Sequence, residues 1–309
     1  YLGSWVAAAM AGLWWLTYGT IFISAQAIVA LGRGSLGTAI FYSAANTGQL
    51  LVTIPLILCA GFNRIETVLF AAVVGTGISA AAASSIAWRL SGSSEPGHQL
   101  PSLSTTWKGG IPLASTRLVQ GCLMWSPVWI AGITLGAPDA ALVGLASRLV
   151  SAVAAAIAAV RFSIRPILAR DAALGNWVGI QRRASSVALI ATAFAISAIV
   201  VVLIIGDPLV GWAFGSSYAR AASITAVMLI GTVGESLGGP VDEVLKMSGE
   251  ARVVLSAQVV ALLVGFGVQF AAGALAGLNA LVIAYAPVLV LLYAALIYYT
   301  WRLRGVLIV

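Results

Sequence analysis

Long uncharged stretches, separated by short groups of charged residues, are the dominant pattern of this sequence. No Asp, Glu, Lys or Arg occurs in residues 1–32, 34–63, 67–88, 118–138, 184–206 or 253–301. A bilayer takes about 20 residues of apolar helix to cross, and in lipid the backbone polar groups have to be paired within the segment. The pattern therefore predicts membrane-spanning α-helices.

Charged residues and Gly, Pro or Asn breaks divide the chain into nine predicted spans. These lie near residues 6–30, 37–60, 66–88, 110–134, 140–162, 184–205, 221–246, 253–273 and 279–301. The uncharged run 253–301 is long enough for two spans, so we divide it at residues 273–279. The predicted fold class is an all-α, polytopic membrane helix bundle with nine transmembrane helices.

Composition also indicates a membrane protein. The 309 residues are 61% hydrophobic and 8% charged, and the mean hydropathy is +1.04. Because soluble domains carry roughly 25% charged residues, this chain has too few charges to cover a surface in water. The two cysteines, Cys59 and Cys122, lie in apolar spans and are expected to be packing residues.

Basic residues are concentrated on one side of the nine-span arrangement. Of 16 Lys and Arg residues, twelve fall on one side, Arg64 and Arg220 fall on the other, and Arg117 and Arg148 lie within spans. Since cytoplasmic loops are enriched in Lys and Arg, the C-terminus is predicted to be cytoplasmic, in a cell (inner) membrane. The largest cytoplasmic loop, residues 161–183, is expected to lie along the membrane surface as a short amphipathic segment. Membrane orientation explains the net charge of +7, so no nucleic-acid partner is predicted.

Three sequence echoes about 215 residues apart indicate an internal repeat. They are Gly61-Phe62-Asn63 with Gly277-Leu278-Asn279, Trp88-Arg89-Leu90 with Trp301-Arg302-Leu303, and Gly32 with Gly249. Internal repeats are typical of secondary transporters. The repeat predicts two pseudo-symmetric six-helix lobes: the last three helices of the first lobe in 1–90, a cytoplasmic linker in 91–107 and the second lobe in 108–309. Three further helices are expected before residue 1.

Three charged residues stand out as lying deep inside predicted spans, and they form the candidate substrate-binding set: Arg117, Arg148 and Glu235. A charge at the centre of a span costs about 2.5–3.5 kcal/mol or more, so it normally faces a partner or a wet cavity. At ~1.5 Å per helical residue, Arg117 and Glu235 lie roughly 13 and 16 Å from the cytoplasmic face, and Arg148 lies roughly 20 Å from it. We expect Arg117 to pair with Glu235, and Arg148 to face an anionic ligand in a cavity between the lobes. The alternative is structural, with Arg117–Glu235 as a helix clamp and Arg148 reaching a backbone carbonyl.

The sequence does not predict an enzyme, a metal site or a bound cofactor. It has no Gly-rich phosphate loop ending in Gly-Lys-Ser/Thr. The only histidine, His98, lies in the Ser/Gly/Pro-rich linker and has no metal-ligand partners nearby in sequence. A nucleophile–base pair is likewise not recognisable, because that histidine lies outside the spans.

Two stretches of the second lobe carry a family resemblance. Residues 107–113, Trp-Lys-Gly-Gly-Ile-Pro-Leu, open the lobe, and Leu135-Gly136 is followed by Val143-Gly144 and Arg148-Leu149. This resembles the polysaccharide flippases of the multidrug/oligosaccharidyl-lipid/polysaccharide exporter superfamily, in which a Leu-Gly turn precedes Val-Gly-x-x-x-Arg-Leu. Residues 244–249 and 277–280 resemble the entries to the family's last two spans. The chain departs from the family at Leu145, where an aromatic residue is expected.

The resemblance implies two six-helix lobes around a cavity that opens alternately to each side of the membrane. The implied partner is an anionic lipid-linked (undecaprenyl-pyrophosphate) oligosaccharide, flipped to the outer leaflet in cell-surface polysaccharide biosynthesis. Such a headgroup does not cross hydrocarbon unaided, and bidentate arginine donors suit a pyrophosphate. We expect a monomer surrounded by membrane lipid.

Three other functions stay open from the sequence. A cation-coupled multidrug exporter of the same superfamily would need an acidic ion site, and Glu235 is the one deeply placed acid in the predicted spans. A membrane glycan ligase would need a large extracytoplasmic loop, whereas the longest, near 206–219, holds only Asp207. A transport-inactive scaffold would recruit partners through cytoplasmic domains.

Overall fold

The protein folds into two compact units, Tyr1–Gln99 and Leu100–Val309, in a computed structural model that describes residues 2–31, 33–60, 65–91 and 103–308. Every regular element in these ranges is a helix, which confirms the predicted all-α polytopic bundle. Several sequence features lie outside the described residues: Gly32, the Gly61-Phe62-Asn63 echo, Arg64 and His98.

The described part of unit 1 contains four α-helices and one π-helical turn. They are α1 (Leu2–Ala30), α2 (Gly34–Ala39), the π-helical turn (Ile40–Ala44), α3 (Ala45–Ala60) and α4 (Ile65–Ser91). The π-helical turn joins α2 directly to α3. Helix α4 packs against both α1 and α3. Ile21 and Ile28 of α1 are buried in a cluster with the small residue Ala83 of α4. The hydroxyls of Thr17 and Thr76 share a 2.7 Å hydrogen bond between the same helices. Small and hydroxyl residues of this kind let membrane helices approach closely.

Helices α3 and α4 are in close contact where Gly75 faces Gly48. A Cβ atom added to either glycine would overlap the backbone carbonyl oxygen of the other. Backbone atoms do not rotate out of the way as the end of a side chain does. The two helices therefore keep this separation only while both positions lack a side chain.

Gly75→Ala should force α3 and α4 apart and destabilise unit 1 by about 1–3 kcal/mol, the usual cost of overpacking. Thermal unfolding of the complete protein in detergent measures the effect. Gly77→Ala is the matched control, because a Cβ there would meet only Thr17 Cγ2, at 3.9 Å. Both substitutions gain the same helix propensity, so equal melting temperatures for the two variants would contradict the close contact.

Unit 2 contains six helices: α5 (Leu103–Thr134), α6 (Ala137–Ala173), α7 (Trp177–Phe214), α8 (Ala221–Leu237), α9 (Val241–Met247) and α10 (Ala251–Arg304). The predicted Leu135-Gly136 turn joins α5 to α6, and Gly136 has a φ of 98°, which glycine adopts without strain. One buried cluster surrounds Leu245 and Leu296, and a second surrounds Met228 and Leu281. These clusters hold α8, α9 and α10 against α5, α6 and α7.

Helix α10 is a hairpin of two antiparallel arms. A straight helix of its 54 residues would be roughly 81 Å long, but Gly277, with φ 79° and ψ −165°, interrupts it. Residues at similar distances on either side of this break face each other. A Cβ on Gly265 would lie 2.8 Å from Val288 Cγ1, and one on Gly273 would lie 3.0 Å from Leu281 Cδ1. The division of the uncharged run into two spans is therefore confirmed.

Five helices of the described residues are long and apolar enough to cross a membrane, or six if α8 and α9 form one span bent by 43°. The α10 hairpin is one of the five although it has two arms. Helices α3 and α5 are not among the five. Helix α3 has only 16 residues, and α5 contains two prolines. Each of the nine predicted spans overlaps a helix, and the count of nine is approximate.

Residues 161–183, the predicted cytoplasmic loop, are helical over most of their length, and their position at the membrane surface stays a prediction. Helix α6 continues to Ala173 and α7 begins at Trp177. The side-chain oxygen of Asn176 accepts a 3.0 Å hydrogen bond from the N–H of Gly179 and caps α7. The charges of this region suggested a loop, whereas Arg161 and Arg165 are helical residues that contact acids of α8 and α9.

Candidate functional site in unit 2

Arg148 lies at the middle of the apolar part of α6. The candidate span is Ala137–Arg161, so Arg148 is one residue from its centre, in agreement with the depth predicted from the sequence. Its guanidinium carbon is 4.7 Å from the ring centroid of Trp125 on α5, within cation–π distance. The side chain is exposed, and no ion pair among the described residues includes it. Contact with an anionic headgroup between the lobes stays a prediction.

The predicted pair between Arg117 and Glu235 is wrong. Arg117 Nη2 is instead 2.9 Å from Glu243 Oε1, and Arg117 Nη1 donates to Gln120 Oε1 at 3.1 Å. The depth estimate treated each span as a straight helix. The sequence Gly238-Gly239-Pro240 bends the seventh predicted span between α8 and α9, and this bend places the carboxylate of Glu243 beside α5.

Glu235 pairs with Arg161. Arg161 Nη1 donates to Glu235 Oε1 at 2.8 Å, and Arg161 Nη2 donates to the backbone oxygen of Glu235 at 3.0 Å. The Arg161 side chain is only 8% exposed and that of Glu235 is 22% exposed. A buried pair that loses one partner leaves an uncompensated charge, which is strongly destabilising. The pair therefore fixes α6 against the C-terminal end of α8.

Glu243 is shared by two arginines. It accepts hydrogen bonds from Arg117 of α5 and from Arg165 of α6, so one carboxylate on α9 connects three helices. Next to it, Lys246 Nζ is 2.7 Å from Asp242 Oδ2 within α9. Burial lowers the pKa of the Arg165 guanidinium, and the adjacent Glu243 carboxylate acts in the opposite direction.

These contacts define a charged cluster in unit 2, which we call the α9 cluster. Its basic members are Arg117, Arg161, Arg165 and Lys246, and its acidic members are Glu235, Asp242 and Glu243. Four positive charges against three negative charges leave a net charge of +1. Each carboxylate of the cluster already accepts from a basic side chain, so the cluster as it stands is better suited to holding helices together than to binding a cation.

A small cavity with several polar side chains in its wall lies beside Glu235 inside unit 2. Its volume is about 20 Å³, and its lining includes Thr232, Gln258, Tyr285 and Tyr293. The side chain of Gln258 is buried, and among the described residues no donor reaches its Oε1 atom. A cavity of this size and polarity accommodates one water molecule. Glu235 is therefore near a place where one water or one ion of similar size fits.

Sequence reasoning missed the two acids of α9, and it missed Arg161 and Arg165 as partners of Glu235 and Glu243. Asp242-Glu243 lay within a predicted span but near its end, where charges are commonly solvated. The informative signals were the Gly-Gly-Pro break directly before these acids and the four-residue spacing of Arg161 and Arg165, which places both side chains on one face of α6. In the described ranges no group of three or more His, Cys, Asp or Glu residues is placed to hold a metal ion.

Solved structures with the same fold come from MATE transporters. A mutant of the Vibrio cholerae MATE transporter VcmN matches with a TM-score of 0.70 and 17% identity, over 95% of this chain and 69% of that chain. A MATE mutant matches with a TM-score of 0.69 and 10% identity, over 97% and 88% of the respective chains. No protein-family model and no curated protein matches the sequence. At these identities the likeness shows the fold, which is that of a polytopic helical transporter. MATE transporters are members of the superfamily that the sequence resembles.

Proposed function

We propose that this chain belongs to a membrane transporter that flips a lipid-linked oligosaccharide with an anionic pyrophosphate headgroup by alternating access. The MATE-like fold supports the transporter class. The choice of an anionic substrate rests on the residues of unit 2. In this proposal the C-terminus is cytoplasmic, as the distribution of Lys and Arg predicts.

The observation that carries the substrate class is the position of Arg148. A permanently charged side chain at the centre of an apolar span needs water or an opposite charge. Among the described residues Arg148 contacts the face of Trp125 and is in no ion pair, so its N–H donors are available. Guanidinium groups bind phosphate oxygens through two parallel hydrogen bonds. An anionic headgroup passing Arg148 would supply the missing acceptor.

The ion pairs of unit 2 favour this substrate over a dedicated cation site. Glu235 already accepts from Arg161, so a bound cation would have to compete with a guanidinium for the same carboxylate. The net positive charge of the α9 cluster also disfavours a further cation nearby.

A cation-coupled exporter is the second candidate, and one observation favours it. The cavity of about 20 Å³ beside Glu235 matches the size of one water molecule or one small ion. Movement of Arg161 away from Glu235 during a transport cycle would free the carboxylate for a cation. The two candidates differ in what drives transport and in the sign of the charge on the substrate.

Reconstitution of the complete protein in liposomes tests the proposal. We expect a fluorescent polyprenyl-pyrophosphate oligosaccharide to move between leaflets, so that dithionite added outside quenches nearly all of the label instead of the roughly half that lies in the outer leaflet. Liposomes without protein and liposomes with a phosphatidylcholine probe are the controls. No flipping of the pyrophosphate-linked probe, together with efflux of a cationic dye driven by an imposed Na⁺ or H⁺ gradient, would favour the second candidate instead.

A further inference from the structure

A pocket of about 350 Å³ lies at one end of unit 2, away from Arg148 along α6. Three alanines near the end of α6 form one wall, and Trp177, Ser248 and Arg304 form the rest together with Met247. Trp177 begins α7, Met247 ends α9 and Arg304 ends α10. Because three apolar segments end here, the pocket lies at the level of lipid headgroups if the helices cross a bilayer. Its volume is within the range of small-molecule sites.

Arg304 is held in the pocket with part of its donor capacity unused. Its Nη2 atom donates to the backbone oxygen of Ser248 at 2.7 Å and lies 3.3 Å from Glu250 Oε1. The guanidinium carbon is 5.4 Å from the ring centroid of Trp177. Within the described part of the chain no acceptor bonds to Nη1, although a guanidinium has five N–H donors. The side chain is thus fixed in place and still able to donate to a ligand.

The charges around the pocket are mainly positive. Arg170 follows Ala169 on α6, and Arg252 lies in the first turn of α10, four residues after Ser248 in the chain. Both side chains are exposed, and neither is in an ion pair among the described residues. The two nearby acids are already engaged, Glu250 by Arg304 and Asp171 by Arg183. An anion entering the pocket therefore meets uncompensated positive charge.

We propose that this pocket binds the phosphate-bearing headgroup of an anionic membrane phospholipid, with Arg304 as the phosphate donor and Trp177 covering the headgroup's apolar part. Basic pockets between helix ends bind such headgroups, and tryptophan is suited to the membrane–water interface. The proposal concerns a structural lipid and does not depend on which substrate the transporter moves. A lipid bound here would join the α6–α7 turn to the end of α10.

Native mass spectrometry of the complete protein, loaded with phosphatidylglycerol and phosphatidylcholine in equal amounts, measures the preference. We expect Arg304→Gln to lower the ratio of retained phosphatidylglycerol to phosphatidylcholine about fivefold, the effect of one arginine near a lipid phosphate. Arg302→Gln is the matched control, because it removes one charge from the same helix end but does not line the pocket. An equal loss in both variants would show that surface potential alone attracts the lipid, and would overturn the proposal.

A second variant leaves every charged residue in place and reduces the volume of the pocket. Ala169 is exposed on α6 and lines the pocket, so Ala169→Leu should reduce phosphatidylglycerol retention without lowering the melting temperature in lipid-free detergent. Unchanged retention in Ala169→Leu would contradict binding in the pocket. Adding inorganic phosphate at millimolar concentration distinguishes a lipid headgroup from a free phosphate ion as the ligand. If it stabilises the protein as much as phosphatidylglycerol does, the ligand is a free anion and the lipid proposal is wrong.

Discussion

Arg148→Ala should reduce transport of the pyrophosphate-linked substrate by roughly two orders of magnitude, while the amount of protein in the membrane stays at the wild-type level. Loss of a bidentate, charge-assisted contact in a low-dielectric site is worth at least about 3 kcal/mol. The alanine variant should fold normally because Arg148 is in no ion pair among the described residues, so its removal leaves no buried carboxylate there without a partner. The liposome assay gives the rate, and immunoblotting of membranes gives the protein level.

Two further variants define what Arg148 contributes. Arg148→Lys should retain part of the activity, because the charge remains while the planar pair of donors is lost. Arg182→Ala removes an exposed arginine near the start of α7 and should transport at the wild-type rate. Wild-type transport by Arg148→Ala would exclude a role in substrate binding. It would then favour a structural role for this arginine, in which its guanidinium packs on the face of Trp125.

Arg161→Met should destabilise unit 2 by about 3–5 kcal/mol, because it leaves the carboxylate of Glu235 buried without its cation. Combining it with Glu235→Gln should restore most of that stability, since neither charge then remains. The free energy of unfolding in mild detergent, measured for the two single variants and the double variant, gives the coupling between the residues. The large effect is expected because the Arg161 side chain is only 8% exposed.

The matched control is the more exposed pair of Arg304 and Glu250, whose side chains are 29% and 36% exposed. Glu250→Gln should cost at most about 1 kcal/mol. Arg117→Ala should also be tolerated better than Arg161→Met, because Arg165 continues to neutralise Glu243. This reverses the expectation from the sequence, where Arg117 was the partner of Glu235. Equal losses for Glu235→Gln and Glu250→Gln would show that the buried pair has no special role.

The positions of the helices could be predicted from the sequence because the energetic rule in lipid is simple. Uncharged runs of sufficient length form helices, and glycine or proline marks where they end. The same rule placed Arg148 near the centre of the apolar part of α6 and divided residues 253–301 near Gly277. These features depend on residues close together in the chain, so one local pattern determines each of them.

The partners of the charged residues could not be predicted in the same way. Distance along a helix gives a depth, but it does not give the rotation of the helix or a bend such as that between α8 and α9. Because of the bend, Glu243 lies beside Arg117, and because α6 continues past the predicted span, Arg165 also reaches Glu243. Contacts between residues more than 70 positions apart depend on how whole helices pack. The internal repeat of the first and last thirds of the chain stays a prediction, because Gly61-Phe62-Asn63 lies outside the described residues.

The α10 hairpin has a consequence for how the chain enters the membrane during synthesis. Between Arg252 and Arg302 the two arms and the turn at Gly277 contain no charged residue, so the turn itself carries no charge that would fix it on one side of the membrane. Arg252 and Arg302 lie at the same end of the hairpin because its arms are antiparallel. We therefore expect the orientation of both arms to depend on the arginines at the open end of the hairpin.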